Sequence, residues 1–597
     1  MAERERTPAA GGGTPRTVKR IDRVKRLIET ARGKRDPDLV LKGGRVLDLF
    51  SAEIVRADVA ICDGRIAGLG DYDGPQVIDA EGAFISPGFI DGHIHPESTL
   101  LAPAELARAL VPHGTTAIMA DPHEIANVLG GEGIRFLLKA SRGLPVDFWF
   151  LLPSCVPATD LETAGASLSA RDLTPFRRER RVLGLAEMMN YPGVLSGSGP
   201  LLEKLDAFRG RSREGHAPLL AGPDLNAYIA CGIGSDHECT AQAEAREKLR
   251  LGMHIMIREG TQAKNLRELI SLVNPRNSRR FSLVTDDLHP HDLLAKGHLD
   301  HLVNMAVAAG LDPLEAIRMA SINTAEYFGL RDVGAVAPGY RADLLILSSL
   351  RPVTVHSVIK GGRPVVAGGV LTGPRAATAC GGCRASMHIR PFGPEAFGVP
   401  REEGRIRVIG LVPDQILTRQ LLREPSIRDG MVVSDSARDI LKLVVVERHG
   451  ATGRIGVGFV QGFGLREGAL ASSVAHDSHN IIAVGCDDAD LFGAVTAVAG
   501  MQGGMAAVLR GEIVAGLPLP IAGLMSDRPL AEVVRGWEGL RRAARRLGSL
   551  PEEPFMVLSF LALPVIPELK LTDRGLVDVN RFMHVPTFTA EGRKNPC

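Results

Sequence analysis

The sequence predicts an α/β chain built on a (β/α)8 TIM barrel, with a discontinuous small β-sandwich domain and an extra C-terminal α+β domain. Three observations carry that reading. At 597 residues the chain is too long for one core and should divide into several domains. Its middle alternates short apolar runs with amphipathic helix-length stretches, over a length that suits eight strand–helix units. Two stretches of β texture flank that middle, and the tetrapeptide KGGR occurs in both, at 42–45 and 360–363.

Taken in order, residues 1–36 form a basic N-terminal extension, with a short basic helix over 17–32 read as a solvated cap on a neighbouring domain. Residues 37–85 and 334–377 show alternating apolar residues punctuated by Asp-Gly and Gly-Gly, the signals of hairpins, and together make the small β domain. Residues 86–333 make the barrel. Its candidate strands are GTTAIMAD, VDFWFLLPSC, VLGLAEMM, GHAPLL, IGSDHE, GMHIMIREG and FSLVTDD, after an opening run that ends in GFIDGHIH. An open doubly wound sheet is the competing architecture, but no GxGxxG follows an early strand. Residues 378–597 follow a Gly/Cys/Pro-rich joint and contain strands such as DILKLVVVERHG and an amphipathic helix over 529–548.

Bulk composition excludes several classes. A formal net charge of +1 offers no global attraction to nucleic acid or an anionic membrane. The N-terminus lacks the apolar core of a secretory signal, and FMVLSFLALPVI (555–566) is too short and proline-broken to span a bilayer. Eight scattered cysteines argue against a disulfide scaffold and for a reducing, cytoplasmic setting. The close pair Cys380 and Cys383 lacks a second half, so it reads as part of a linker and not as a zinc ribbon.

The chemistry gathers at strand ends. Residues i and i+2 of a strand share a face, so His93 and His95 in PGFIDGHIHPEST project together at the C-terminal end of the first barrel strand. Glu187 ends VLGLAEMM, where a buried carboxylate is costly unless paired or metal-bound. His216 follows in GHAP, His237 in GSDHE, and Asp286 closes FSLVTDD. Each alone reads as a satisfied histidine or a helix cap; six at successive strand ends make a ring that suits two divalent cations. His93 and His95 would serve one and His216 and His237 the other, with Glu187 bridging and Asp286 on one of them. Asp121 and His123 in ADPHEIANV lie at another strand end and are candidates for a substrate contact or an additional metal position, against a helix cap and a surface histidine. His476 and His479 in AHDSHN suit a turn, read as a loop reaching the barrel mouth. HDLLAKGHLD (291–300) reads as a helix with a solvated polar face.

These segments resemble the amidohydrolase superfamily and, within it, the bacterial adenine deaminases of the binuclear-metal type. The resemblance is carried by PGFIDGHIHPEST, GTTAIMADPHEIANV, GLAEMMNYPGV, GIGSDHE, LVTDDLHPHDLLAKGHLD, NTAEYFGL, GAVAPGYRADL and VAHDSHNIIAVG. It implies hydrolytic deamination of adenine to hypoxanthine and ammonia by metal-bound hydroxide attacking C6. It implies two divalent cations, manganese or iron before zinc, on His93, His95, Glu187, His216, His237 and Asp286. Glu187 stands where many relatives bridge with a carboxylated lysine, and Leu219 where mononuclear deaminases carry a catalytic glutamate. Asp286 is the expected proton carrier; Glu187 and the Asp121, His123, Glu124 group are candidates to serve ring N1. The alternatives are another hydrolase of the superfamily, such as an N-acetylhexosamine-phosphate deacetylase or a cyclic-amide hydrolase, or a non-catalytic scaffold. The expected partner is a purine base, with no nucleic acid or membrane, and a homodimer is the default assembly.

Overall fold

The computed structural model describes residues 15–372, 383–413 and 415–589. Cys380, and with it the spacing to Cys383, lies outside the described residues. Eight strands run in chain order around a closed barrel: β1 (Phe89–Ile94), β2 (Thr115–Ala120), β3 (Asp147–Leu152), β4 (Val182–Met188), β5 (Ser212–Gly215), β6 (Ser235–Asp236), β7 (His254–Arg258) and β8 (Phe281–Val284). Neighbours pair in parallel from β1 to β5 and again from β6 to β8. Gly234 N–H donates to Arg213 O at 2.9 Å across the β5–β6 seam. Asp286 N–H donates to His93 O at 3.0 Å and closes β8 onto β1. At Gly184 a Cβ would sit 2.1 Å from Ser212 O, so only glycine lets β4 and β5 approach this closely.

Alternation sorts the strand residues into two layers. Ile90, Ala117, Met119, Leu151, Ala186, Met256 and Val284 form one inner cluster. Phe89, Ile118, Phe148, Phe150 and Leu283 turn outward into the larger core shared with the helices. The barrel predicted from the repeating units is the fold observed, and its C-terminal rim carries the candidate residues.

A seven-stranded sheet joins strands from both sides of the barrel, with Leu344 opposite Pro87 and Leu347 opposite Phe84. A four-stranded sheet from residues 39–79 packs on it through Leu39, Leu41, Val59 and Ile61 against Val46, Ile85, Leu344 and Ile359. The helix Pro15–Ala31 lies against this sandwich, Leu27 touching Ala60, Cys62 and Ala67.

The C-terminal part holds an eight-stranded sheet. Along its strand Ile440–Val446, Val444 and Val446 face the helix Asp488–Gly500, whereas Leu441, Leu443 and Val445 join the apolar cluster that is continuous with the barrel. That continuity matters for the site. The antiparallel pair Ala469–Ser472 and Ile481–Gly485 is connected by residues 473–480, and this connection reaches the barrel rim.

Three local expectations are corrected. Residues 291–300 are not one solvated helix: Pro290–Lys296 ends at Gly297, where φ is +98°, and a new helix starts at Leu299. His298 between them is fully buried on Thr115 and Asp91. Asp121 and His123 do not share a strand face, because β2 stops at Ala120 and His123 opens the helix His123–Leu129. The run GHAPLL is not a strand, since β5 ends at Gly215 and His216 lies just beyond it.

Candidate active site at the barrel mouth

The six residues expected on strand ends converge. His93 Nε2 and His95 Nε2 lie 3.2 Å apart, and Asp286 Oδ1 is 3.5 Å from the first and 3.1 Å from the second. Glu187 stands between two histidine groups. Its Oε1 is 3.3 Å from His95 Nε2, while its Oε2 is 3.2 Å from His237 Nε2 and 2.6 Å from His216 Nδ1. The rings of His93 and His237 stack at 4.2 Å. All but His216 are buried.

The hydrogen-bond pattern shows what this set can hold. His95 Nδ1 is 3.2 Å from the Asp121 carbonyl, which can only accept, so Nδ1 carries the hydrogen and Nε2 offers a lone pair. That lone pair faces two carboxylate oxygens. Such a contact is repulsive unless a cation, proton or metal, lies between them. His93, His95 and Asp286 form one potential ligand cluster, and His93, Glu187 and His237 another. The donor set of imidazoles and carboxylates suits zinc, manganese or iron.

Burial works against ionisation of Glu187, but His216, His237 and His95 outweigh it and hold its carboxyl well below the usual range. Asp286 is likewise held well down against its burial, by hydrogen bonds from His93 and His95 and by the charge of Arg258.

Asp121 and His123 join from the turn after β2. His123 Nδ1 is 3.3 Å from Asp121 Oδ2 and 3.6 Å from Glu187 Oε1, and its Nε2 is 3.8 Å from Asp477 Oδ1. His476 Nδ1 lies 3.6 Å from Glu124 Oε1, and Glu124, His476 and His479 group together within 4.8 Å. The site is therefore lined by the barrel and by the C-terminal loop 473–480. Leu219 does not take part: its backbone is left-handed, with φ +60°, and the residue is 76% exposed.

Several residues at the site escaped the sequence reading. Arg258, at the end of β7, donates through Nη1 to Asp286 Oδ2 at 2.7 Å and through Nη2 to Glu238 Oε2 at 2.8 Å. Glu238 in turn is 3.5 Å from both His216 Nδ1 and His237 Nε2. Asp91 ties β1 to β8 by accepting from His93 N–H at 3.2 Å and from Thr285 N–H at 3.3 Å. Glu97 accepts from Ile125 N–H at 3.0 Å, and burial together with the charge of Glu124 pushes it up to about 8. A visible signal existed for Arg258 alone: an arginine inside the apolar run HIMIR must find a counter-charge.

Comparison with known proteins agrees with this architecture. Residues 84–365 match the amidohydrolase family, and residues 415–583 match the adenine deaminase C-terminal domain. An adenine deaminase of Desulfatibacillum aliphaticivorans is 51% identical over 570 residues, covering 94% of this chain and 99% of the relative. Adenine deaminase 2 of Carboxydothermus hydrogenoformans is 49% identical over 94% of this chain and 99% of its own length. An adenine deaminase of Methanothrix thermoacetophila is 49% identical, with 95% and 100% covered. With half of its residues shared across both the barrel and the C-terminal part, the chain belongs to the adenine deaminase family of amidohydrolases.

Proposed function

We infer that the chain hydrolyses adenine to hypoxanthine and ammonia. The observation that carries this is the end-to-end similarity to adenine deaminases, which includes the C-terminal domain that lines the site. A deacetylase or a cyclic-amide hydrolase would share the barrel without a reason to share that domain.

The donor geometry supports the reading of His93, His95, Glu187, His216, His237 and Asp286 as the ligands of two divalent cations, manganese or iron before zinc. When bound, two such cations supply the Lewis acidity that brings ionisation of a water near neutral pH. The oxygen of water adds to C6 and the bond from C6 to the exocyclic nitrogen breaks. One proton of the water ends on ring N1 and the other on the departing amine. Asp286 takes a proton at Oδ1, while Arg258 keeps its Oδ2 engaged at 2.7 Å and fixes the carboxylate plane. The position of His123, between Asp121 and Glu187 on one ring nitrogen and Asp477 on the other, supports its reading as the group that holds the proton N1 takes. The chain works on a small purine base in the cytoplasm, as a homodimer.

The test is ammonia release from a panel of aminopurines and cyclic amides by metal-loaded protein, with Asp286→Asn alongside. Adenine should be the substrate turned over, and the variant should keep its metal while losing turnover by at least 100-fold. Turnover of an amide but not of adenine would overturn the reading.

A further inference from the structure

The loop that the C-terminal domain sends to the barrel contains a buried polar group with no role in the chemistry above. His479 is fully buried. Its Nδ1 accepts the backbone N–H of Ala475 at 3.2 Å, so in the neutral ring the hydrogen sits on Nε2. Burial, with His476 and Arg448 nearby, holds the ring well below its usual range and so neutral. Nε2 therefore points an N–H donor that has no hydrogen-bond partner among the described residues. On the barrel side Glu124, 1% exposed, accepts from Ser98 Oγ at 2.9 Å through Oε1, while its Oε2 has no partner either. The two residues that carry this unused donor and unused acceptor, His479 and Glu124, belong to one cluster contributed by different domains.

The loop is braced to keep that donor in place. Arg448, fully buried, donates through Nε to the His479 carbonyl, and its backbone N–H donates to Asn480 Oδ1 at 3.3 Å. His449 Nε2 donates to the Ser478 carbonyl at 2.7 Å. Buried donors and acceptors left unmade are costly, and a rigid pair of them is a recognition element for whatever supplies both partners.

We propose that Glu124 and His479 read the edge of the free purine base that carries N9–H. Glu124 Oε2 accepts from N9–H and His479 Nε2 donates to the ring nitrogen one carbon away. This rests on the adenine deaminase reading and deepens it. A free base presents an acceptor nitrogen beside N9–H. A nucleoside does not, because N9 carries the sugar. The pair therefore sets the preference for base over nucleoside, and it assigns that preference to a contact made jointly by the barrel and the C-terminal domain. A site that hydrogen-bonds an N–H rejects the analogue lacking it far more strongly than an apolar pocket does.

The test compares adenine with 9-methyladenine, which keeps every ring nitrogen but lacks N9–H, on manganese-loaded protein. The wild-type protein should favour adenine by at least about 100-fold in kcat/KM. Glu124→Ala should lower kcat/KM for adenine by about that factor and leave 9-methyladenine within about 3-fold, so the ratio collapses. Glu124→Gln, whose amide oxygen still accepts, should preserve most of the ratio. His479→Ala should weaken both substrates, through KM more than kcat. Bound metal measured by mass spectrometry and the thermal midpoint serve as folding controls, and Glu124→Leu, which keeps bulk but has no acceptor and should collapse the ratio in the same way, carries the test if Glu124→Ala does not fold. If the Glu124 variants lower both substrates alike, Glu124 acts on N1 or on the scaffold and the proposal fails. If loaded wild-type protein releases no ammonia from adenine, it is the underlying deaminase reading that fails, and the wild-type measurement shows this before any variant is made.

Discussion

Replacing Arg258 with methionine should destabilise the barrel through the charges it leaves behind. The arginine side chain is 7% exposed and bonds two buried carboxylates, Asp286 and Glu238. Its burial opposes the charge, but those two anions hold the guanidinium firmly protonated. Methionine fills similar volume without charge, so the two carboxylates lose their counter-ion and hydrogen bonds together. Breaking a buried pair on one side costs about 3–5 kcal/mol. At about 2–4 °C per kcal/mol for a folding unit of barrel size, the thermal midpoint of metal-free protein should fall by roughly 10 °C. If divalent cations bind beside Asp286 as proposed, they would take over part of the compensation, and the metal-loaded protein should fall less. The decisive arm is Arg258→Met with Glu238→Gln. If uncompensated charge is the cause, neutralising Glu238 should recover about 2 kcal/mol of the loss. Additive losses in the double variant, or a single variant within about 1 kcal/mol of wild type, would refute this account.

Two further outcomes are expected. Removing metal with a chelator should lower the thermal midpoint and abolish turnover, with two equivalents of manganese restoring both. A cation present at 1,000 times its Kd stabilises by about 4 kcal/mol, and a protein whose midpoint ignores the chelator would contradict the metal reading. Lys570 is fully buried, bonds only the Ile416 and Phe560 carbonyls among the described residues, and is pushed by that burial down to about 7 from 10.5. Between those values the unfolded chain binds the extra proton, so stability should rise with pH, by an upper bound of roughly 5 kcal/mol. Lys570→Met should flatten that rise, seen as urea midpoints from pH 7 to 10; equal slopes in both proteins would exclude Lys570 as the source.

The barrel was legible because a parallel strand buried on both faces must be a short apolar run, and each run here is followed by a helix. The convergence of His93, His95, Glu187, His216, His237 and Asp286 was legible for the converse reason: ionisable groups at the ends of such runs are too costly to be there idly. What stayed hidden depends on neighbours far apart in sequence. Glu238 beside His237 shows no partner in sequence until Arg258, 20 residues later, is seen to reach it. Asp477 has no reason to matter until a hairpin of another domain brings it to His123, although His476 and His479 on either side of it already suggested a loop at the barrel mouth. The misreading of 291–300 has a local cause. Gly297 breaks the helix with a positive φ, which lets His298 turn into the core instead of out to solvent.

Net charge shows the same gap between scales. A formal value of +1 describes the chain as neutral, yet Glu97, Asp121, Glu124, Glu187, Glu238, Asp286 and Asp477 are all buried around one mouth. Arg258 is the guanidinium that touches this set. Carboxylates crowded in a region that excludes water need compensating charge or retained protons. The imidazoles of His95, His123, His216 and His237 answer part of that need, each raised above its ordinary value by carboxylate neighbours against burial. Burial pushes Glu97 up to about 8 and raises Glu124 as well. The two divalent cations of the proposed function would add to the same compensation. These carboxylates come from both domains, so the C-terminal domain is part of the active site's electrostatics as well as its wall.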